Sequence, residues 1–168
     1  RILTHPEENN RLTWDIYSGK SELFPSFHVF KVYQDKAGND WLLTDNGLGL
    51  IRPGTREPVS YFTETKGKNG GMNQAFYAAQ ENDGHIRFAS DHGRIWSYRK
   101  EGGDFTLFEL PTKSRITSIH EVAPEQTVVT TDSDGFFTYH LKTKAAVHYS
   151  SLTCKGLPDR PILSAYVD

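Results

Sequence analysis

The residues that could do chemistry in this sequence are acidic turns, scattered histidines and three tryptophans. The acidic turns are Asp83-Gly84 and Asp132-Ser133-Asp134-Gly135. Spaced oxygens of this kind can hold calcium, but a helix–loop–helix calcium loop needs a glutamate at its twelfth position. Counting from Asp132, that position is Thr143, and no helical pattern flanks it. Both stretches therefore read as turns, where an Asp side chain bonds nearby backbone N–H groups and Gly accepts a positive φ. His5, His28, His85, His92, His120, His140 and His148 include no pair two residues apart, the spacing that puts two imidazoles on one face of a strand. They read as surface or packing residues. Cys154 stands alone, which excludes an intrachain disulfide and a thiolate zinc cage. No Gly-x-Ser-x-Gly elbow is present. No catalytic residue, metal site or cofactor is expected.

Binding is the better prospect. Residues 64–73, ETKGKNGGMN, break the surrounding pattern. Irregular loops on a rigid scaffold often carry recognition. Lys66 and Lys68 could attract an anionic sugar and Asn69 could bond hydroxyls; the plainer reading is a glycine-rich connection. Trp14, Trp41 and Trp96 could stack on a ligand ring or fill space in the interior. Trp41 sits at a repeat-defined position, which favours packing. Trp96 stays open and joins Lys66, Lys68 and Asn69 as a ligand-binding candidate.

These residues must be held by strands. Over 168 residues, apolar side chains seldom recur at helical spacing. Short runs rich in Val, Ile, Thr, Phe and Tyr are instead separated by Gly, Asn, Asp and Pro. The runs repeat. VFKVYQDKAGNDWLLTDNG (29–47) aligns without a gap on AFYAAQENDGHIRFASDHG (75–93), 46 residues later, so that Gln34 falls on Gln80 and Asp45 on Asp91. A third copy begins at Ile116, 41 residues further on, with one extra residue in its last turn. A fourth begins at Ile162, where ILSAYVD lies over VFKVYQD. About four strands per copy at this period describe the blades of an all-β propeller. The expected blocks are 1–26 (strands B to D of a partial blade), 27–73, 74–113, 114–158, and 159–168 (strand A of a next blade). Asp45, Asp91 and Asp132 should open equivalent turns between strands B and C. The chain reads as a piece of a longer protein, about four blades' worth. An arc of a larger ring is expected rather than a closed four-bladed ring in which 162–167 pairs with 2–4.

The stretch Asp35-Lys36-Ala37-Gly38-Asn39-Asp40-Trp41-Leu42-Leu43-Thr44-Asp45-Asn46-Gly47-Leu48 resembles the two-component regulator propeller repeat, D-x-x-G-x-x-W-x-x-T-x-x-G-L. The second copy has Arg87 in place of Trp41; the third has Val128 there and Glu125 in place of Gly38. The resemblance implies the periplasmic sensor region of a hybrid two-component histidine kinase of gut Bacteroidetes, sensing glycan-derived oligosaccharides. It implies no enzyme activity in this segment, with a kinase elsewhere in the parent. Its partners would be an oligosaccharide, further blades and domains of the parent, and a second copy in a homodimer. A formal net charge of -2 argues against nucleic acid, and the lack of an apolar run near membrane-spanning length argues against insertion by this segment. Two alternatives stand beside this reading: a propeller scaffold for protein contacts, and a glycan-active propeller enzyme. For the latter, Ser133-Asp134-Gly135 lacks the spacers of a sialidase Asp-box, and no acid and nucleophile pair can be assigned.

Overall fold

The computed structural model describes residues 2–6, 12–16, 28–55, 58–62 and 74–165. Every regular element among them is a strand. β1 (Ile2–Pro6) and β2 (Leu12–Ile16) form an antiparallel hairpin, Ile2 opposite Ile16, where the sequence places strands B and C of a partial blade. The strand D expected at 22–24 lies outside the described residues. Three antiparallel four-stranded sheets follow. Blade 1 holds β3 (Val29–Gln34), β4 (Asp40–Thr44), β5 (Gly47–Ile51) and β6 (Val59–Tyr61). Blade 2 holds β7 (Phe76–Asn82), β8 (His85–Ser90), β9 (Arg94–Arg99) and β10 (Asp104–Glu109). Blade 3 holds β11 (Ile116–Ala123), β12 (Gln126–Thr131), β13 (Phe136–His140) and β14 (Ala146–Tyr149). In each sheet the strands lie side by side in chain order, so each is a propeller blade with strand A at one edge and strand D at the other. The A strand β7 contacts both β3 and β11, which makes that edge the inner one.

The blades stack through two apolar layers, and strand periodicity explains both. On β8, Ile86 and Phe88 point to blade 1, while Arg87 and Ala89 point to blade 3. The first layer joins Trp41, Leu43, Leu48 and Leu50 to Phe76, Phe88 and Tyr98. The second joins Ala89 and Ile95 to Ile116, Ile119, Val129, Phe137 and Tyr139. The aromatic content of the chain is spent largely here. Trp41 is 1% exposed, with ring centroids 4.8 Å from Phe88 and 5.1 Å from Tyr98. It packs between blades, as its repeat position suggests.

The repeat motif has a physical account. Asp35 Oδ1 accepts the backbone N–H groups of Ala37 and Asn39, and Oδ2 accepts from Asn39 Nδ2 and, at 3.2 Å, from Trp41 Nε1. One buried carboxylate thus closes the A–B turn and anchors the tryptophan. Burial pushes its pKa up, but these hydrogen bonds and the Lys100 ammonium outweigh that and hold it below the usual carboxylate value. At the other end of strand B a buried hydroxyl clasps the B–C turn. Thr44 Oγ1 donates to Gly47 O at 2.8 Å, Ser90 Oγ to Arg94 O at 3.3 Å, and Thr131 Oγ1 to Gly135 O at 2.9 Å. Gly47, Gly93 and Gly135 sit at φ +96°, +66° and +66°, each pressed against the backbone at the end of its own strand D. The Gly47 N–H also reaches Gln74 O at the start of blade 2, and Gly93 N–H reaches Ser114 O before blade 3. Asp45, Asp91 and Asp132 do open equivalent B–C turns.

Two expectations need correction. The gapless alignment is one residue out along strand A. Gln34 pairs with Asp40 and Glu81 with Ile86, which puts Gln34 level with Glu81 rather than Gln80. The cause is a two-residue turn, Asp83-Gly84, with both φ values positive (48° and 72°), where blade 1 uses the longer Asp35–Asn39 turn. The expected strand at 162–167 is also not formed over 162–165. Strand A is defined by its ladder to strand B, and among the described residues no strand stands beside this segment. It is held against blade 3 by Ile162 N–H to Thr131 O, Thr117 Oγ1 to Ile162 O, and Ala165 N–H to Ser118 Oγ. β1 pairs with β2, and no ladder joins it to 162–165.

The opposite end of the blades is polar and buried. Lys100 Nζ lies 2.6 Å from Glu81 Oε1, and Glu81 Oε2 accepts Lys36 N–H across the blade junction at 2.7 Å. Arg87 Nη1 bonds Glu121 Oε2 of blade 3 at 2.7 Å, the two side chains being 8% and 4% exposed. Arg87 thus replaces the tryptophan of blade 1 with a buried ion pair.

Candidate functional site

Each inner strand carries a one-residue bulge at the same level. The ladders skip Phe30 between Val29 and Lys31, Tyr77 between Phe76 and Ala78, and Thr117 between Ile116 and Ser118. A bulge bends its strand and re-aims the extra side chain. These three residues therefore form a series across the loop end of the inner edge, and Leu163 follows at the same position of the fourth copy. The Phe30 ring lies 5.0 Å from that of Tyr77, and the Arg115 guanidinium lies over the other part of the stack, 4.9 Å from the Tyr77 centroid.

Carboxylates of the B–C turns fix this stack. Tyr77 OH donates to Asp91 Oδ2 at 3.2 Å. Burial, and then the Asp91 charge, raise the Tyr77 pKa, so the phenol is held in its donating form. Arg115 places Nε and Nη2 on Asp132 Oδ2, both at 3.2 Å, and its backbone N–H on Oδ1. Burial works against the Arg115 charge, and the Asp132 hydrogen bond outweighs it. A cleft of about 480 Å³ opens beside this pair, lined by Tyr77, Arg115, Thr117, Asp132, Ser133 and Leu163 among others. A second, of about 470 Å³, runs outward past Asp134, His148, Ser151 and Arg160. The two share Asp132, Ser133 and Pro161, so they adjoin.

Of the residues singled out in the sequence, Lys66, Lys68 and Asn69 lie outside the described residues. Trp96 is on β9 in the layer between blades 1 and 2, partly buried, its ring 4.6 Å from Phe62. The structure brings it to neither cleft. His148 and His28 each pair with an aspartate, Asp134 at 3.0 Å and Asp45 at 3.1 Å. The stack of Phe30, Tyr77 and Arg115 was not singled out. The signal that could have exposed it is the pair of adjacent aromatics Phe76-Tyr77, of which a regular strand can bury only one.

The architecture is that of β-propeller blades. In solved structures it is similar to the extracellular domains of one-component and hybrid two-component systems. One is the extracellular domain of BT4673 of B. thetaiotaomicron, assigned to a one-component system: TM-score 0.74, 17% identity, 96% of this chain and 21% of that one. Another is that of BT3049, assigned to a hybrid two-component system of the same organism: TM-score 0.68, 20% identity, 83% and 20%. The same fold appears in an enzyme, virginiamycin B lyase of Staphylococcus aureus: TM-score 0.63, 16% identity, 88% and 48%. The chain spans about a fifth of the length of the two extracellular domains. No family model matches the chain, and no curated protein matches it. These identities establish the shared fold alone. Among the described residues, no helix is long and apolar enough to cross a membrane.

Proposed function

We propose that this chain is part of the extracytoplasmic, ligand-sensing propeller of a hybrid two-component sensor, and that it responds to an oligosaccharide without transforming it. The observation that carries this reading is the match of 96% of the chain to the fold of an extracellular sensor domain. The regulator-propeller motif supports it independently, since Asp35, Trp41, Thr44 and Gly47 each perform a structural task that the motif requires. In this reading the saccharide binds one arrangement of the sensor better than another, and that difference drives the signal. The kinase and the membrane anchor belong to other parts of the parent. The lyase likeness supports no enzyme reading, because a fold does not carry its chemistry with it.

Thermal denaturation of the intact ectodomain against a panel of plant and host oligosaccharides tests this. At least one should raise the melting temperature in a concentration-dependent way and be recovered unchanged. Saturation at a hundred times Kd corresponds to about 2.7 kcal/mol of added stability. No shift across the panel, or turnover of a saccharide, would overturn the proposal.

A further inference from the structure

We infer that the groove along the loop end of blades 2 and 3 is a saccharide site, and that its ligand is neutral rather than anionic. This rests on the sensing role proposed above and adds to it the place and the charge class of the ligand.

The place follows from the bulges. Three successive inner strands use the same irregularity to turn Phe30, Tyr77 and Thr117 toward one line. Packing does not require this, because the residue on either side of each bulge continues the ladder. The bulge instead yields a surface half apolar and half polar. Phe30 is 51% exposed and extends the Tyr77 ring, and Leu163, 73% exposed, stands across the cleft. A pyranose has the matching duality: its C–H face is apolar and its rim carries hydroxyls. The apolar face suits Leu163, with the part of Tyr77 that Phe30 and Arg115 leave open on the opposite wall. The rim suits the Asp132 carboxylate and the Ser133 hydroxyl, which line both clefts. Two adjoining clefts of about 480 and 470 Å³ leave room for more than one sugar unit.

The charge class follows from the balance of the walls. Asp132, Asp134 and Asp159 line the groove against Arg115 and Arg160. Arg115 is committed to Asp132 through two side-chain nitrogens and to the Tyr77 ring beneath it. Asp91, behind Tyr77, adds a further carboxylate. An incoming uronate or sulfate would face this excess of negative charge and could use Arg115 only by breaking its pair with Asp132, which leaves Arg160 as the one arginine of the wall open to it. Neutral hydroxyls need no such exchange, because a carboxylate oxygen already bonded to arginine still has acceptor capacity.

Calorimetric titration of the intact ectodomain tests the inference. The probes are neutral hexasaccharides (xylan-, mannan-, arabinan- and glucan-derived) and two acidic ones, a tetragalacturonate and a heparin-derived tetrasaccharide. A neutral probe should bind, and Tyr77→Ala should weaken it at least tenfold. Tyr77 is partly buried, so Ser133→Arg is the second variant: it fills the groove from an exposed position and should abolish binding with the melting temperature unchanged. If Ser133→Arg binds the neutral probe within twofold of wild type, the site is wrong while the sensing role stands. If only the acidic probes bind, the charge class is wrong. If wild type binds no saccharide, the sensing role itself fails, and this inference with it.

Discussion

Gly47 offers the sharpest test of how the blades are joined. It stands at φ +96°, and a Cβ built on it would lie 2.3 Å from Tyr61 O. Its N–H bonds Gln74 O of blade 2 at 2.8 Å, and its carbonyl takes the Thr44 hydroxyl, also at 2.8 Å. In Gly47→Ala, an L-residue at this φ costs about 1–2 kcal/mol. Relieving the clash requires the turn to move by roughly 1 Å, enough to weaken both hydrogen bonds at about 1 kcal/mol each. The total is about 3–4 kcal/mol. Gly54 is the control: its φ is +75°, but nothing lies within 4 Å of the added Cβ. Gly54→Ala should cost only the backbone part, about 1–2 kcal/mol. Urea denaturation of both variants, read at constant m, measures the difference. Equal losses for the two variants would refute the claim that close approach, rather than φ alone, holds this turn.

Two further outcomes are expected. Asp35→Asn should lower stability by about 1–3 kcal/mol at neutral pH. Because the folded Asp35 pKa is depressed, its contribution is complete above the unfolded value of about 4 and fades as pH falls through the folded value, so wild type and variant should converge in acid; a difference that persists in acid would count against the turn-closing carboxylate. Arg87→Met should cost about 3–5 kcal/mol by stranding Glu121, while Arg87→Met with Glu121→Leu should recover most of that loss; denaturation curves in which the double variant is the less stable would show that the pair is not the reason for the cost.

The parts of the fold that were legible are those where one residue type answers one backbone demand. The B–C turn is the best case: a hydroxyl to clasp it, an aspartate to open it and a glycine under strand D recur in three blades, so alignment alone found their phase. Trp41 was legible for the same reason, since its indole N–H has a fixed partner in Asp35. Strand A was misread by one residue because the turn before strand B is one residue shorter in blade 2 than in blade 1, which shifts the whole of β7 against β3. Phe30 aligned on Phe76 looks sound, and only the ladder shows that Tyr77 is its counterpart. The candidate groove was hidden by the same slip. The last segment was misread because an apolar run specifies a strand only when a neighbour exists to pair with it.

The hydrogen bonds from Gly47 to Gln74 and from Gly93 to Ser114 also bear on how such a chain can grow by duplication. Donor and acceptor lie on either side of the boundary between sheets, so the sheet is not the heritable module. A copied stretch keeps the joint intact if it is one period long, wherever in the period it starts, because each copy then supplies the glycine for its successor and the carbonyl for its predecessor. Tandem copying can therefore begin in any loop, and blades can diverge at the Trp41 position, as Arg87 and Val128 have, while the turn glycine is kept and its partner, a backbone carbonyl, tolerates a change of side chain from Gln74 to Ser114.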